Sequence, residues 1–413
     1  MGYFRSIQQI KEIHTLRVLD LTADLIRLNP ANYTAWQYRR LCLLYHYNHS
    51  SSSSSFNIDN ELIFIQEIAD IFGAKNYQLW AHRREIIRWI LENGTKLYED
   101  DLSTSSSSSL SNTKKTEIFN QWKQELGYNE LLFTLRYLIK DIKNYHVWGQ
   151  RQWIIQTFNI WDQIINTNTV NINEFEFIEN LLIGNDDSDI RNNSVWNYRW
   201  FIFTRGKGHI NMQTVPTIID AINLSSSSSN TPTTSNNSYI ITEELLSKEI
   251  QFVLTCLNIV QKNESAWSYL RALVRLPYIS SNTNQPNINI SLHNWLIIYK
   301  FCVKCQNFSY PGINIYANEW LAEYYEEELY YYGNNKNITK NEISSSSSTT
   351  SSSAISLSSM NCITTSFNEC YQKIIELYTN NYNHDIIRKK YWLYRNQIIQ
   401  QYYTNIIQKD THP

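Results

Sequence analysis

Glycine and proline are sparse in this chain of 413 residues, with ten Gly and seven Pro. Gly weakens a helix through its backbone freedom and Pro through its missing N–H, so their scarcity leaves long stretches free to run as continuous helix. No run of 18 or more apolar residues occurs, and Met1-Gly2-Tyr3-Phe4-Arg5 opens without an apolar signal core. These absences predict a chain with no membrane span and a cytoplasmic address. Gly2 with Ser6 fits a bare myristoylation pattern, but Phe4-Arg5 reads as the start of a packed domain. The formal net charge is only −2, so nothing global attracts nucleic acid and any anion site has to be local. The six cysteines, at 42, 256, 302, 305, 362 and 370, are too scattered for a disulfide framework. Cys302-x-x-Cys305 has no second pair at zinc-ribbon spacing and reads as a helical face. The nine His are equally dispersed, with no His-Glu-x-x-His pattern.

Aromatic residues are what the chain has in excess: 13 Trp and 29 Tyr. Five Trp fall in a repeated frame, Asn-x-x-x-Trp, running from Asn32 to Trp36, Asn76 to Trp80, Asn144 to Trp148, Asn192 to Trp196 and Asn263 to Trp267. Arg39, Arg83, Arg151 and Arg199 follow three residues after the first four Trp; the fifth has Leu270 there and Arg271 one later. A degenerate sixth copy surrounds Trp392 and Arg395. Trp-to-Trp spacings of 44, 68, 48 and 71 fit helical-pair repeats, two of them lengthened by insertions. Segments 50–55, 103–113, 225–237 and 334–359 are rich in Ser, Thr and Asn and are expected to be disordered insertions in one domain spanning 1–413. Apolar stripes at helical spacing precede the Asn, such as Leu16, Leu19, Ala23, Ile26 and Leu131, Leu135, Leu138, Ile142. The Asn suits a helix N-cap, and apolar pairs such as Ile86-Ile87 and Ile154-Ile155 follow the Arg. Period-two strand signals are absent. The reading is an all-α fold, a right-handed superhelix of αα-hairpin repeats curved into a crescent. In it the Trp wedge between neighbouring helix pairs, and the Arg satisfy carboxylates or carbonyls of the adjacent unit.

The residue before each Asn is Ala31, Lys75, Lys143, Arg191 or Lys262. A cation just before a helix N-terminus opposes the helix dipole. Four such choices in five positions point to another benefit. In a stack of repeats they fall along one edge, beside helix-start N–H groups, and that combination suits a diphosphate or an acidic surface. The alternative is that they pair with neighbouring acids. Tyr33, Tyr77 and Tyr145 follow the Asn, and His146 follows Tyr145; packing and ligand contact are both open to them.

At these residues the sequence resembles the α subunit shared by protein farnesyltransferase and protein geranylgeranyltransferase type I. The resemblance runs through Tyr3-Phe4-Arg5, Asn32-Tyr33-Thr34-Ala35-Trp36, Lys75-Asn76-Tyr77-Gln78-Leu79-Trp80-Ala81-His82-Arg83-Arg84, Lys143-Asn144-Tyr145-His146-Val147-Trp148, Arg191-Asn192-Asn193-Ser194-Val195-Trp196 and Asn263-Glu264-Ser265-Ala266-Trp267, and again near Ile387-Arg388-Lys389-Lys390-Tyr391-Trp392. It implies a crescent wrapped around a separate β subunit that holds Zn2+ and most of the lipid and peptide pocket. It also implies a prenyl diphosphate attacked by the cysteine of a C-terminal CaaX peptide, as in small GTPases, with Mg2+ on the diphosphate. Carried over residue by residue, Lys75 meets the diphosphate and is the catalytic residue of this chain. Tyr77 lines the peptide and product path, and Asn144, Tyr145 and His146 lie near the bound substrates. Lys143 and Arg191 extend the anion stripe, and no metal ligand falls on this chain. The proline-rich N-terminal extension of some relatives is missing. The Rab-type geranylgeranyltransferase α subunit shares the Trp repeats, and a tetratricopeptide-like scaffold is the non-catalytic alternative.

Overall fold

The structure, a computed structural model, describes residues 2–49, 58–104, 112–160, 165–167, 170–184, 188–207, 241–279, 286–287, 291–307, 313–339 and 367–411. Helix α1 (Gly2–Ile10) precedes seven helix pairs among the described residues. These are α2 (Leu16–Leu28) with α3 (Tyr33–His49), α4 (Ile58–Phe72) with α5 (Tyr77–Thr104), α6 (Asn112–Lys140) with α7 (Tyr145–Phe158), and α8 (Glu174–Glu179) with α9 (Asn193–Phe201). They continue with α10 (Glu243–Ile259) and α11 (Glu264–Leu273), α12 (Leu292–Asn307) and α13 (Ile315–Thr339), and α14 (Phe367–His384) and α15 (Lys389–Thr411). Two short antiparallel strand pairs, Ile165–Thr167 with Val170–Ile172 and Tyr278–Ile279 with Pro286–Asn287, sit in connections between helices, too short to leave a period in the sequence. The all-α reading holds. Among the described residues no helix is long and apolar enough to cross a membrane.

Insertions 50–55 and 225–237 lie outside the described residues, as does most of 103–113 and 334–359. The described edges 103–104, 112–113 and 334–339 are helix, where disorder was expected. There the flanking helices α5, α6 and α13 run on past the apolar stripe.

The chain forms two compact units, Met1–Ile178 with Asn197–Ile202, and Glu179–Trp196 with Phe203–Pro413. In the first unit, each Asn-x-x-x-Trp frame is a hydrogen-bonded clamp. The Asn side chain caps the second helix of the pair: Asn32 Oδ1 accepts the Ala35 N–H at 3.2 Å and Asn144 Oδ1 that of His146 at 3.1 Å. The buried indole of each Trp donates Nε1–H to the carbonyl six residues earlier, Trp36 to Pro30 at 2.8 Å, Trp80 to Ala74 and Trp148 to Ile142 at 2.7 Å. The next repeat's Asn can share that carbonyl: Asn76 Nδ2 also donates to Pro30, at 2.8 Å. One backbone oxygen thus ties two successive repeats, using both of its lone pairs.

The Arg of the frame ties the other end. Arg39 Nε and Nη2 grip Glu61 on α4 at 2.8 and 2.7 Å while Nη1 caps the Leu19 carbonyl of α2 at 2.8 Å. Arg83 repeats this with Glu130 on α6, at 2.8 and 2.5 Å, and the Leu62 carbonyl. Arg151 does so with Glu174 on α8 and the Leu131 carbonyl. All six side chains are buried. Bidentate guanidinium–carboxylate pairs of this kind keep buried charge tolerable by satisfying nearly every donor. The expected stripe on α2 needs one correction: Leu16, its first residue, is exposed, and Val18, Thr22, Leu25 and Ile26 form the buried face with Ala23. Gly127 explains itself in α6, where a Cβ would come within 2.7 Å of the Phe158 ring of α7. At the N-terminus Phe4 and Ile7 are buried, with the Phe4 ring 5.6 Å from that of Tyr38, as a packed start requires.

The second unit uses the same clamps. Trp196 and Asn263 share the Ile190 carbonyl at 2.8 and 2.7 Å, and Trp267 and Asn314 share that of Gln261 at 2.8 and 3.2 Å. Asn314 opens a repeat that the Trp pattern does not reveal. It caps α13 through the Ala317 N–H at 3.2 Å, but the Trp position holds Asn318, buried and bonded to Asn381 at 3.0 Å. The displaced Arg271 reaches Glu319 and Glu323 on α13, at 3.0 and 2.6 Å. In the degenerate copy, Trp392 Nε1 turns to the Asp385 carboxylate at 2.9 Å, and Arg395 reaches Glu326 at 2.6 Å. Cys302 and Cys305 are both buried on α12. Burial pushes the Cys305 thiol up to about 11 and that of Cys302 well above its ordinary value, which makes them inert at neutral pH.

Candidate functional site

The clamps fix the start of each second helix and leave the residues around it on the surface. Lys75 and Tyr77 flank the capping Asn76 at the start of α5; Lys143, Tyr145 and His146 flank Asn144 at the start of α7. Tyr77 and Tyr145 are 66% and 57% exposed, too open to be core residues. Their rings meet edge to face at 5.9 Å, and the Tyr145 hydroxyl donates to that of Tyr77. That hydrogen bond pushes the Tyr145 phenol up to about 12. His146 stacks on Tyr145 at 4.0 Å and stands edge-on to Tyr77 at 4.3 Å. Partial burial and then the nearby Lys75 charge hold His146 below its ordinary value, so it is neutral at pH 7.

Lys75 reaches across to the next repeat, where its ammonium lies 2.7 Å from Asp141 Oδ2. The hydrogen bond from Lys75 lowers the Asp141 carboxyl, with further help from the Lys143 N–H. Asp141 carried no role in the sequence reading. Its signal was there: an Asp stands two residues before the cation at both Lys143 and Arg191, and in each case its Oδ1 accepts the cation's N–H at 3.1 Å.

The structure therefore brings Lys75, Tyr77, Tyr145 and the half-buried His146 into one surface cluster. Asn144 is buried under it and acts through the cap and turn. Lys143 is exposed on the same turn, while Arg191 and Lys262 are exposed at equivalent turns of the other unit. The helix-start N–H groups expected to help an anion are partly taken. Asn76 Oδ1 accepts those of Gln78 and Leu79 at 2.9 and 3.4 Å. Among the described residues no three His, Cys, Asp or Glu converge as a metal site would need.

The protein prenyltransferase alpha subunit repeat model matches residues 16–46, 58–90, 128–158 and 246–276, four of the helix pairs above. The chain carries repeats of the protein prenyltransferase α-subunit type. It is 49% identical over 87 residues to the protein farnesyltransferase/geranylgeranyltransferase type-1 subunit alpha of Schizosaccharomyces pombe, covering 21% of this chain and 26% of that one. It is 25% identical over 162 residues to the geranylgeranyl transferase type-2 subunit alpha of Dictyostelium discoideum, covering 38% and 41%. The matched stretches thus span less than half the length of either relative. The solved Candida albicans protein geranylgeranyltransferase-I complexed with GGPP has the same fold at a TM-score of 0.51 and 18% identity, covering 97% of this chain and 89% of that one. In an α-subunit repeat the Trp, Asn and Arg that make the pattern visible are the clamp.

Proposed function

We propose that this chain is the α subunit of a heterodimeric protein prenyltransferase of the farnesyltransferase and geranylgeranyltransferase type I kind. Its partner is a β subunit, and the reaction moves a prenyl group from its diphosphate to the cysteine of a CaaX peptide. The observation that carries this reading is the surface cluster of Lys75, Tyr77, Tyr145 and His146, held on adjacent helix starts. The higher identity to a type-1 relative supports the type. The longer, weaker matches to type-2 subunits favour the Rab-type enzyme as the second reading.

The chemistry asked of this chain is electrostatic. As the bond from prenyl carbon to diphosphate oxygen breaks, negative charge grows on the leaving group. A positioned ammonium stabilises that charge more in the transition state than in the ground state, which is what raises the rate. Lys75 supplies the ammonium. Tyr145 stays protonated at neutral pH, and its hydroxyl turns from Tyr77 to orient the diphosphate end, with Tyr77 and His146 walling the path beside it. Zinc, which makes the attacking thiolate, belongs in this reading to the β subunit, and magnesium to the diphosphate.

The test is single-turnover prenylation by the full chain co-expressed with a β subunit. Lys75→Ala is expected to keep the heterodimer and slow transfer by about 10²-fold, as for loss of one preorganised donor. An unchanged rate removes Lys75 from the site. CaaX peptides and Rab acceptors offered in parallel decide between the two types.

A further inference from the structure

Asp141 is tied down more firmly than the lysine it meets. Its backbone N–H donates to the Tyr137 carbonyl at 3.0 Å, ending α6, and its Oδ1 accepts the Lys143 N–H at 3.1 Å. Only Oδ2 is left to face Lys75, at 2.7 Å. The turn itself needs an acceptor and no charge. In the first repeat Asn29 makes the same bond, to the Ala31 N–H at 3.1 Å. The position equivalent to Asp141 in the second repeat is Gly73, one repeat beyond the uncharged Ala31. The turn does not require a carboxylate: Asn29 serves it in the first repeat, and Val260 stands at the equivalent position of the fifth, one repeat beyond Arg191. The ion pair is also open to water, with side-chain exposures of 72% for Lys75 and 35% for Asp141. Pairs this exposed contribute little stability and exchange partners readily.

We propose that Asp141 is an exchange counter-ion. It holds Lys75 when no ligand is bound, yields it to the incoming diphosphate, and reclaims it afterwards, which loosens the grip on pyrophosphate. The proposal rests on the reading of Lys75 given above and makes Asp141 a positioning residue for it. Once the ammonium has moved to the diphosphate, the Asp141 carboxylate remains within a few ångströms as a like charge and repels the bound anion. A neutral residue at 141 removes both the competition and the repulsion.

The experiment uses the full chain assembled with its β subunit and inorganic pyrophosphate as an inhibitor of peptide prenylation. Asp141→Asn keeps the Oδ1 acceptor of the turn; Asp141→Ser, whose hydroxyl can accept the same N–H, repeats the test if the first variant folds poorly. The pyrophosphate inhibition constant is expected to fall by about 3- to 10-fold in Asp141→Asn. The same substitution in a Lys75→Ala background is expected to tighten inhibition clearly less, because only the repulsion is left to remove. A purely structural role would weaken binding, so the sign separates the two. Unchanged or weaker inhibition in Asp141→Asn, or equal tightening in both backgrounds, overturns the proposal while the reading of Lys75 stands. If Lys75→Ala alone alters neither transfer nor pyrophosphate inhibition, that reading falls and Asp141 falls with it.

Discussion

Two kinds of cation–carboxylate pair join successive repeats, and they differ in burial. Arg39–Glu61, Arg83–Glu130 and Arg151–Glu174 lie inside the first unit, and Arg151 and Glu174 are 0% and 1% exposed. Lys75–Asp141 lies on the surface edge of the same repeats. The buried pairs are bidentate and supplemented by a backbone carbonyl, and Tyr198 adds a hydrogen bond to Glu174 at 2.7 Å. No water can replace a lost partner there. The surface pair is one ammonium on one carboxylate oxygen, with water beside both. The same charge pattern therefore fastens the fold at one end of the repeat and leaves a displaceable charge at the other.

The largest effect expected from breaking that contrast is on Arg151. Arg151→Ala strands a buried Glu174 carboxylate and is expected to lower stability by about 3–5 kcal/mol, measured by denaturant unfolding of the full chain. A loss under about 1 kcal/mol would mean that burial does not set the strength of these pairs.

The next effect is in pH. Burial alone would raise the Glu61 carboxyl, but the hydrogen bond to His82 at 2.7 Å and the Arg39 guanidinium outweigh it and bring it down to about 2. A depressed carboxyl contributes stability above its unfolded value near 4.5, and that contribution is lost as pH falls toward about 2. The size is on the order of 3 kcal/mol for a shift of this extent. His82 adds an earlier decline, because burial lowers its pKa and the unfolded chain takes up its proton first as pH drops below 6.5. His82→Gln places at this position the residue that the third repeat has at its equivalent, Gln150, and is expected to flatten the decline just below pH 6.5 while leaving the Glu61 step. Urea midpoints across pH 3–7 check both; a decline below 6.5 that persists in His82→Gln rules out that histidine as its source.

The fold was legible where a large residue made the clamp. Five Trp with their Asn and Arg were enough to read the helix pairs, because an indole with one carbonyl partner admits few substitutes. The pair α12–α13 was not legible, because Asn318 replaces the Trp and Leu321 stands where the Arg would be; its remaining mark, Asn314 three residues before Ala317, is too short to stand out. Lys75, Tyr77, Tyr145 and His146 were legible through position relative to the clamp and through the family resemblance. Asp141 was not, since its link to Lys75 spans 66 residues of sequence and exists only once α5 and α7 stand side by side.

The smallest effect sharpens the comparison most. If exposure is what frees Lys75 for a ligand, the lysine cannot also be holding repeats together. Lys75→Ala is then expected to shift the unfolding free energy by no more than about 0.5 kcal/mol, within the range of exposed ion pairs. Raising the salt concentration in the wild type is expected to be equally mild, because screening acts on this pair and hardly on the buried ones. The decisive measurement is the unfolding midpoint of Lys75→Ala beside that of Arg151→Ala under one set of conditions. Comparable losses from the two would mean that the edge is part of the structural framework, and a large catalytic defect in Lys75→Ala would then reflect a damaged helix start rather than a missing charge at the diphosphate.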